Sequence, residues 1–124
     1  MDPNNLKYTK DHEWINIDGD YAVVGITNFA QKELGDIVFV EIESLEQEIK
    51  TGEVFGSVEA VKTVSDLFMP MSGKIVDINQ KIVENPELVN SDPYGEGWMI
   101  KIQISDSNEV ESLLDFKSYE EISG

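Results

Sequence analysis

Lys62 is the residue in this chain best placed to do chemistry, within the run Gly56-Ser57-Val58-Glu59-Ala60-Val61-Lys62-Thr63-Val64-Ser65-Asp66. Alternating apolar segments flank it, from Glu53 to Glu59 and from Thr63 to Met69. Ala60-Val61-Lys62 between them reads as a tight hairpin end with the lysine alone at an exposed tip. A lysine amine has a pKa of about 10.4, so at neutral pH it is charged and a weak nucleophile. Burial could lower that pKa for direct catalysis, but an exposed turn supplies no desolvation. The other route is acylation by an external enzyme, which leaves a neutral amide and requires exposure on a recognisable shape. Spacing alone favours an ordinary surface lysine, the commonest occupant of such a turn.

Other chemistry is poorly represented. The chain has no cysteine, which excludes disulfides, thiolate catalysis and cysteine metal sites. His12 is its single histidine and reads as structural, since acid–base work needs an oriented partner. No Ser-His-Asp, Cys-His, phosphate-loop or metal constellation is present, so an independent enzyme is the weakest reading.

The elements that must position Lys62 are mostly short strands. Glu13 to Ile17 and Tyr21 to Ile26 flank the hairpin signal Asp18-Gly19-Asp20. Thr27 caps a short helix over Asn28 to Leu34, which Gly35 ends. Ile37 to Ile42 reads as a strand, Gly52 as a sharp turn, and Pro70 as the close of the second hairpin arm. Val58, Ala60 and Val64 are expected to set the register of the arms by packing, with Glu59 and Asp66 beside the tip. Ser72-Gly73 turns the chain into a strand from Lys74 to Ile78. An Asn- and Pro-rich loop follows, from Asn85 to Gly97. Trp98, Ile100, Ile102 and Ile104 then alternate with Met99, Lys101 and Gln103, a strand with one buried face. Trp14 and Trp98 read as core aromatics. Asn108 with Glu111 and Ser118 with Glu121 have capping-box spacing, and Glu120 and Glu121 read as capping and a solvated face. The reading is one β-rich domain over residues 1–124, with a short helix after the second strand and C-terminal helices at its edges.

Charge narrows the partners. The chain has 25 acidic residues against nine basic ones, all lysine, for a formal net charge of −16. That excludes a phosphate-contacting surface and disfavours an anionic membrane. It suits either docking onto basic protein surfaces or simple solubility. With 40% apolar residues the chain can still build a core. Neither a signal-peptide pattern nor a membrane-length apolar run is apparent, so a cytoplasmic protein is expected.

The segment Val58-Glu59-Ala60-Val61-Lys62-Thr63-Val64-Ser65-Asp66 resembles the lipoylation site of H proteins of the glycine cleavage system, whose pattern is close to Glu-Ser-Val-Lys-Ala-x-Ser-Asp. Tyr8-Thr9-Lys10-Asp11-His12-Glu13-Trp14, Val24-Gly25-Ile26-Thr27 and Leu34-Gly35-Asp36-Ile37-Val38-Phe39-Val40-Glu41 agree with it in order. So do Pro70-Met71-Ser72-Gly73 and Asn90-Ser91-Asp92-Pro93-Tyr94-Gly95-Glu96-Gly97-Trp98, and the likeness runs from about Leu6 to Tyr119. The resemblance implies a mainly β fold, a lipoyl-type flattened barrel-sandwich of largely antiparallel strands, and a non-catalytic, monomeric carrier with lipoate bound as an amide to Lys62. Its implied partners are glycine decarboxylase (a pyridoxal-phosphate enzyme), a tetrahydrofolate-dependent aminomethyltransferase, dihydrolipoyl dehydrogenase and lipoylating enzymes. It also implies a cleft for the loaded arm that includes Glu13, Asp66 and, nearby, Glu33.

Three positions depart from the family pattern. Ala60 replaces a serine, Glu33 stands where some members have histidine, and Asn28 stands where aspartate is common. None removes a group that the carrier chemistry requires. Three alternatives stay open: a lipoate relay of the same fold, a biotinyl carrier, and an unmodified interaction module. Val61 and Thr63 beside Lys62 differ from the Met-Lys-Met of biotinyl sites.

Overall fold

Alternating apolar residues in short segments build two antiparallel sheets in the computed structural model, which describes residues 5–123. The chain runs β1 (Lys7–Tyr8), β2 (Glu13–Asp18), β3 (Tyr21–Ile26), α1 (Asn28–Leu34), β4 (Ile37–Glu41), β5 (Glu48–Ile49), β6 (Val54–Ala60) and β7 (Val64–Phe68). It continues through β8 (Gly73–Ile78), α2 (Gln80–Glu84), α3 (Leu88–Ser91), β9 (Ile100–Ile104), a 3-10 helix (Ser107–Ser112) and α4 (Phe116–Ser123). One sheet has the order β1-β2-β3-β9-β8-β5, and the other β4-β6-β7. The sheets stack as an open sandwich, in keeping with the expected mainly β class.

Local chemistry explains the sharp features. The β2–β3 pairing ends at Asp18 opposite Tyr21, leaving a two-residue loop in which Gly19 takes the positive φ of 62° that such a loop favours. The Thr27 hydroxyl accepts from Ala30 N at the start of α1. At its end, Gly35 N–H donates to Gln31 O with φ at 81°.

Between the sheets, Ile15, Val24, Ile75, Ile100 and Ile102 of the larger one join Val40, Phe55, Val58 and Leu67 of the smaller in one buried cluster. Each such side chain contributes about 1.5–3 kcal/mol by leaving water, so the β6–β7 hairpin is held mainly by its inner face. A second cluster of Leu6, Tyr8, Trp14 and Tyr119 binds α4 to the larger sheet, with Tyr8 and Tyr119 stacked at 4.7 Å.

Several local expectations are corrected. Val64 is exposed, so the arms pack through Phe55, Val58 and Ala60 on one side and Leu67 on the other, Leu67 doing what Val64 was expected to do. The last strand begins at Ile100, and Met99 is buried because its N–H donates to Val24 O while its side chain enters the core. Trp98 is half-buried, against the second cluster. Gly73 lies inside β8, where a Cβ would come within 2.7 Å of Gln103 O; its role is close backbone approach rather than a turn. α2 and α3 occupy stretches where no helix was expected, because five and four residues are too few to show a helical period. The C-terminal caps lie earlier than expected: Asp106 accepts from Asn108 N, and Asp115 accepts from Ser118 N. Glu120 and Glu121 are exposed within α4 and cap nothing. Among the described residues no helix is long and apolar enough to cross a membrane.

Gly25, opposite Trp14, has no room for a side chain. A Cβ there would sit 2.6 Å from the indole, whose Nε1 donates to Pro93 O and which is fully buried. Gly25→Ala is expected to cost about 1–3 kcal/mol through overpacking, read as a lower urea midpoint followed by tryptophan fluorescence.

Candidate functional site

The turn Val61–Thr63 joins β6 to β7, and Ala60 N–H donates across it to Thr63 O at 2.7 Å. One residue beyond the Ile37–Ala60 pair, Val61 N–H donates to Asp36 O at 3.0 Å, so the β4–β6 ladder extends into the turn. Lys62 is exposed, and its aliphatic stem lies over Gly35: a Cβ at Gly35 would be 3.2 Å from Lys62 Cε. Among the described residues the salt bridges are Lys74–Glu46 and Lys81–Glu96, so no carboxylate holds the Lys62 amine. The result is an exposed amine with its stem supported and its head in water.

Glu13, at the start of β2, is buried. Its Oε2 accepts from Phe68 N at 3.0 Å and its Oε1 from Thr9 Oγ1 at 3.2 Å. It therefore ties the larger sheet to β7, the edge strand that leads from the lysine turn. Val64 to Phe68 spans roughly 13 Å at about 3.3 Å per residue. Burial pushes the Glu13 carboxyl up to about 8, against the opposing hydrogen bond from Phe68 N–H, so at neutral pH it holds its proton. Glu13 lines a groove of about 350 Å3 with Thr9, Asp11, Met69, Pro70 and Leu113.

Asp66 is exposed on β7, opposite Ser57, and faces a different groove. That one, of about 390 Å3, is also lined by Glu41, Glu43, Ser44 and Phe55. Glu33 is exposed on α1, two residues before Gly35 and near enough to His12 to act on its charge. The structure thus brings Glu33 within electrostatic reach of His12 and Glu13 to β7, while Glu13 and Asp66 open into separate grooves. Glu59 lies on β6 between Phe39 and Val64, beside the turn.

His12 has positive φ, 66°, and its Nδ1 is 2.8 Å from the Tyr119 hydroxyl, which also shares a 2.6 Å hydrogen bond with Thr27 Oγ1. Burial lowers its pKa, opposed by Asp11 and Glu33. Its role is to shape the backbone just before Glu13.

Sequence reasoning missed Gly35 as the floor under Lys62, Asp36 as the anchor of Val61, and Thr9 and Phe68 as the partners of Glu13. Gly35 was visible only as a helix terminator. Nothing in the sequence signals a backbone partner such as Phe68 N–H.

The raised pKa of Glu13 has a definite pH signature. From about 4.5 to about 8 the folded chain keeps a proton that the unfolded chain releases, so this group's contribution to stability falls as pH rises through that window. Glu13→Gln removes the titration. The stability of Glu13→Gln minus that of wild type is therefore expected to rise between pH 5 and pH 8 and level off above it, measured by urea unfolding. A difference that is flat or falls with pH would contradict the buried, protonated carboxyl.

The family model for the glycine cleavage H-protein matches residues 6–123. A glycine cleavage system H protein of Bacteroides thetaiotaomicron is 54% identical over 120 residues, covering 97% of this chain and 95% of its own. One from Carboxydothermus hydrogenoformans is 52% identical over 120 residues, with 97% and 92% covered. Among solved structures, a glycine cleavage system H protein from Mycobacterium marinum superposes with a TM-score of 0.87 at 42% identity, covering 95% of each chain. Agreement in sequence and architecture over nearly the whole length has one consequence: this chain belongs to the glycine cleavage H-protein family.

Proposed function

We propose that this chain is the lipoyl-bearing carrier of the glycine cleavage system, acting as a single carrier domain through an amide on Lys62. The observation that carries this reading is the Lys62 turn: an exposed amine with no ion-pair partner among the described residues, on a stem supported by Gly35. Lipoate fits such a site, because acylation removes a charge that nothing nearby compensates and needs no burial. When attached, lipoate supplies a disulfide that accepts the aminomethyl group and a dithiol that is afterwards reoxidised. The chain itself needs no cysteine for this, and it has none.

The protein's part is to present, hold and release. The rigid hairpin presents Lys62 to the lipoylating enzyme, then in turn to glycine decarboxylase, the aminomethyltransferase and dihydrolipoyl dehydrogenase. Tethering keeps the one-carbon amine at high effective concentration for each partner. A net charge of −16 suits encounter with basic partner surfaces. We place the carrier in the cytoplasm, as a monomer.

Glu13, Asp66 and Glu33 are the residues we assign to the loaded arm. An ammonium reaching Glu13 would favour its ionised form, so binding there is coupled to release of the proton that Glu13 otherwise holds. Asp66 and Glu33 offer exposed carboxylates outside the Glu13 groove.

The test is intact mass after incubation with lipoate, ATP and a lipoate ligase. Wild type is expected to gain one lipoyl group and Lys62→Ala none, with the variant's thermal midpoint within about 2 °C of wild type, as expected for an exposed site. No gain in either would point to an unmodified interaction module. For the arm, Glu13→Ala and Asp66→Ala are expected to speed ammonia loss from the aminomethyl-loaded protein. Unchanged rates would remove those two residues from the cleft.

A further inference from the structure

The connection between α1 and β4 supports Lys62, and one side chain holds that connection. Asn90, on α3, donates from Nδ2 to Gly35 O at 2.9 Å and to Gln31 Oε1 at 3.0 Å, while its Oδ1 accepts from Ile37 N at 2.9 Å. Gln31 is oriented in turn, its Nε2 donating to Asn28 Oδ1 at 2.7 Å. Both N–H groups and the carbonyl of Asn90 are therefore committed to residues 31–37, an arrangement that only a side-chain amide can satisfy.

Gly35 and Asp36 are the residues that meet the lysine turn, under the Lys62 stem and at Val61 N–H. Gly35 sits at φ 81° and ψ −160°, a conformation open to glycine, so its own backbone preference leaves it free to move. Asn90 removes that freedom from both sides, at Gly35 O and at Ile37 N. Asn90-Ser91-Asp92-Pro93 is thus more than a surface loop.

We propose that Asn90 is a positioning residue for the modification of Lys62: its amide locks the Gly35–Asp36 connection that aims the lysine. This rests on the reading of Lys62 as the attachment site. Asn90→Asp keeps the acceptor for Ile37 N–H but sets a carboxylate oxygen against Gly35 O and Gln31 Oε1, where two donors stood. Asn90→Ala removes all three bonds.

The experiment is steady-state transfer of lipoate to the full chain by a lipoate ligase, with the chain as the varied substrate, alongside hydrogen exchange of backbone amides by NMR. A partly unfolded acceptor lowers the effective substrate concentration and raises KM, whereas a misaimed lysine lowers kcat. Asn90→Asp and Asn90→Ala are expected to lower kcat at least about tenfold, as small misplacements of a reacting group do. Exchange of the Val61 amide should quicken at least about tenfold, with the β2–β3 amides unchanged. Ile102→Val, a core truncation remote from the turn, should keep the wild-type kcat. A wild-type kcat in both Asn90 variants, or unchanged Val61 exchange, would overturn the proposal. A wild type that accepts no lipoate would instead sink the carrier reading, while the exchange data would still show whether Asn90 holds the turn.

Discussion

The hydrogen bond from Val61 N–H to Asp36 O, with the Lys62 stem resting on Gly35 beside it, is the constraint on which the rest of this structure turns. An exposed hairpin end has little to hold it: Val61 is 75% exposed, and the turn itself contributes one backbone bond. Burial of Phe55, Val58 and Leu67 fixes the arms but stops at Ala60. Beyond that point the direction of the lysine depends on what the α1–β4 connection offers. A glycine there takes the positive φ of 81° and lets the Lys62 stem lie close; a Cβ would stand 3.2 Å from Lys62 Cε and push the stem aside.

Electrostatics sets a second constraint at the far end of β7. Glu13 is buried where its carboxyl satisfies a strand edge, and its protonation removes the cost of a buried charge. In this acidic chain Glu13 is a carboxyl kept neutral by its burial. The exposed carboxylates Asp66, Glu41 and Glu43 are screened by water and salt and add little to stability. Their groove is separate from that of Glu13, so the acidic surface has two compartments joined by one strand.

The larger sheet serves both Glu13 and the connection under Lys62. β2 brings Glu13 to β7, and β3 leads directly into α1 and its Gly35 terminus. Tyr119 on α4 ties His12 to Thr27, so the C-terminal helix braces the start of β2 and the start of α1 together. Elements that appear peripheral in the chain thus converge behind the lysine turn.

Much of this was legible in the sequence, because its causes are local. The hairpin around Asp18-Gly19-Asp20, the Thr27 cap, the Gly35 stop and the arms on either side of Lys62 all follow from turn chemistry and two-residue alternation. The β1 and β5 strands, α2 and α3 were not legible, since two to five residues are too short to show a period. Val64 misled because an apolar residue beside a turn can face either side of a thin sheet. The partners of Glu13 and Asn90, and the separation of Asp66 from Glu13, depend on backbone atoms brought near by folding. By itself the sequence determined the mainly β class and the exposed lysine, which local propensity and patterning dictate. Only tertiary structure decided what supports that lysine and what keeps Glu13 protonated, because both depend on contacts across 25 to 55 residues of chain.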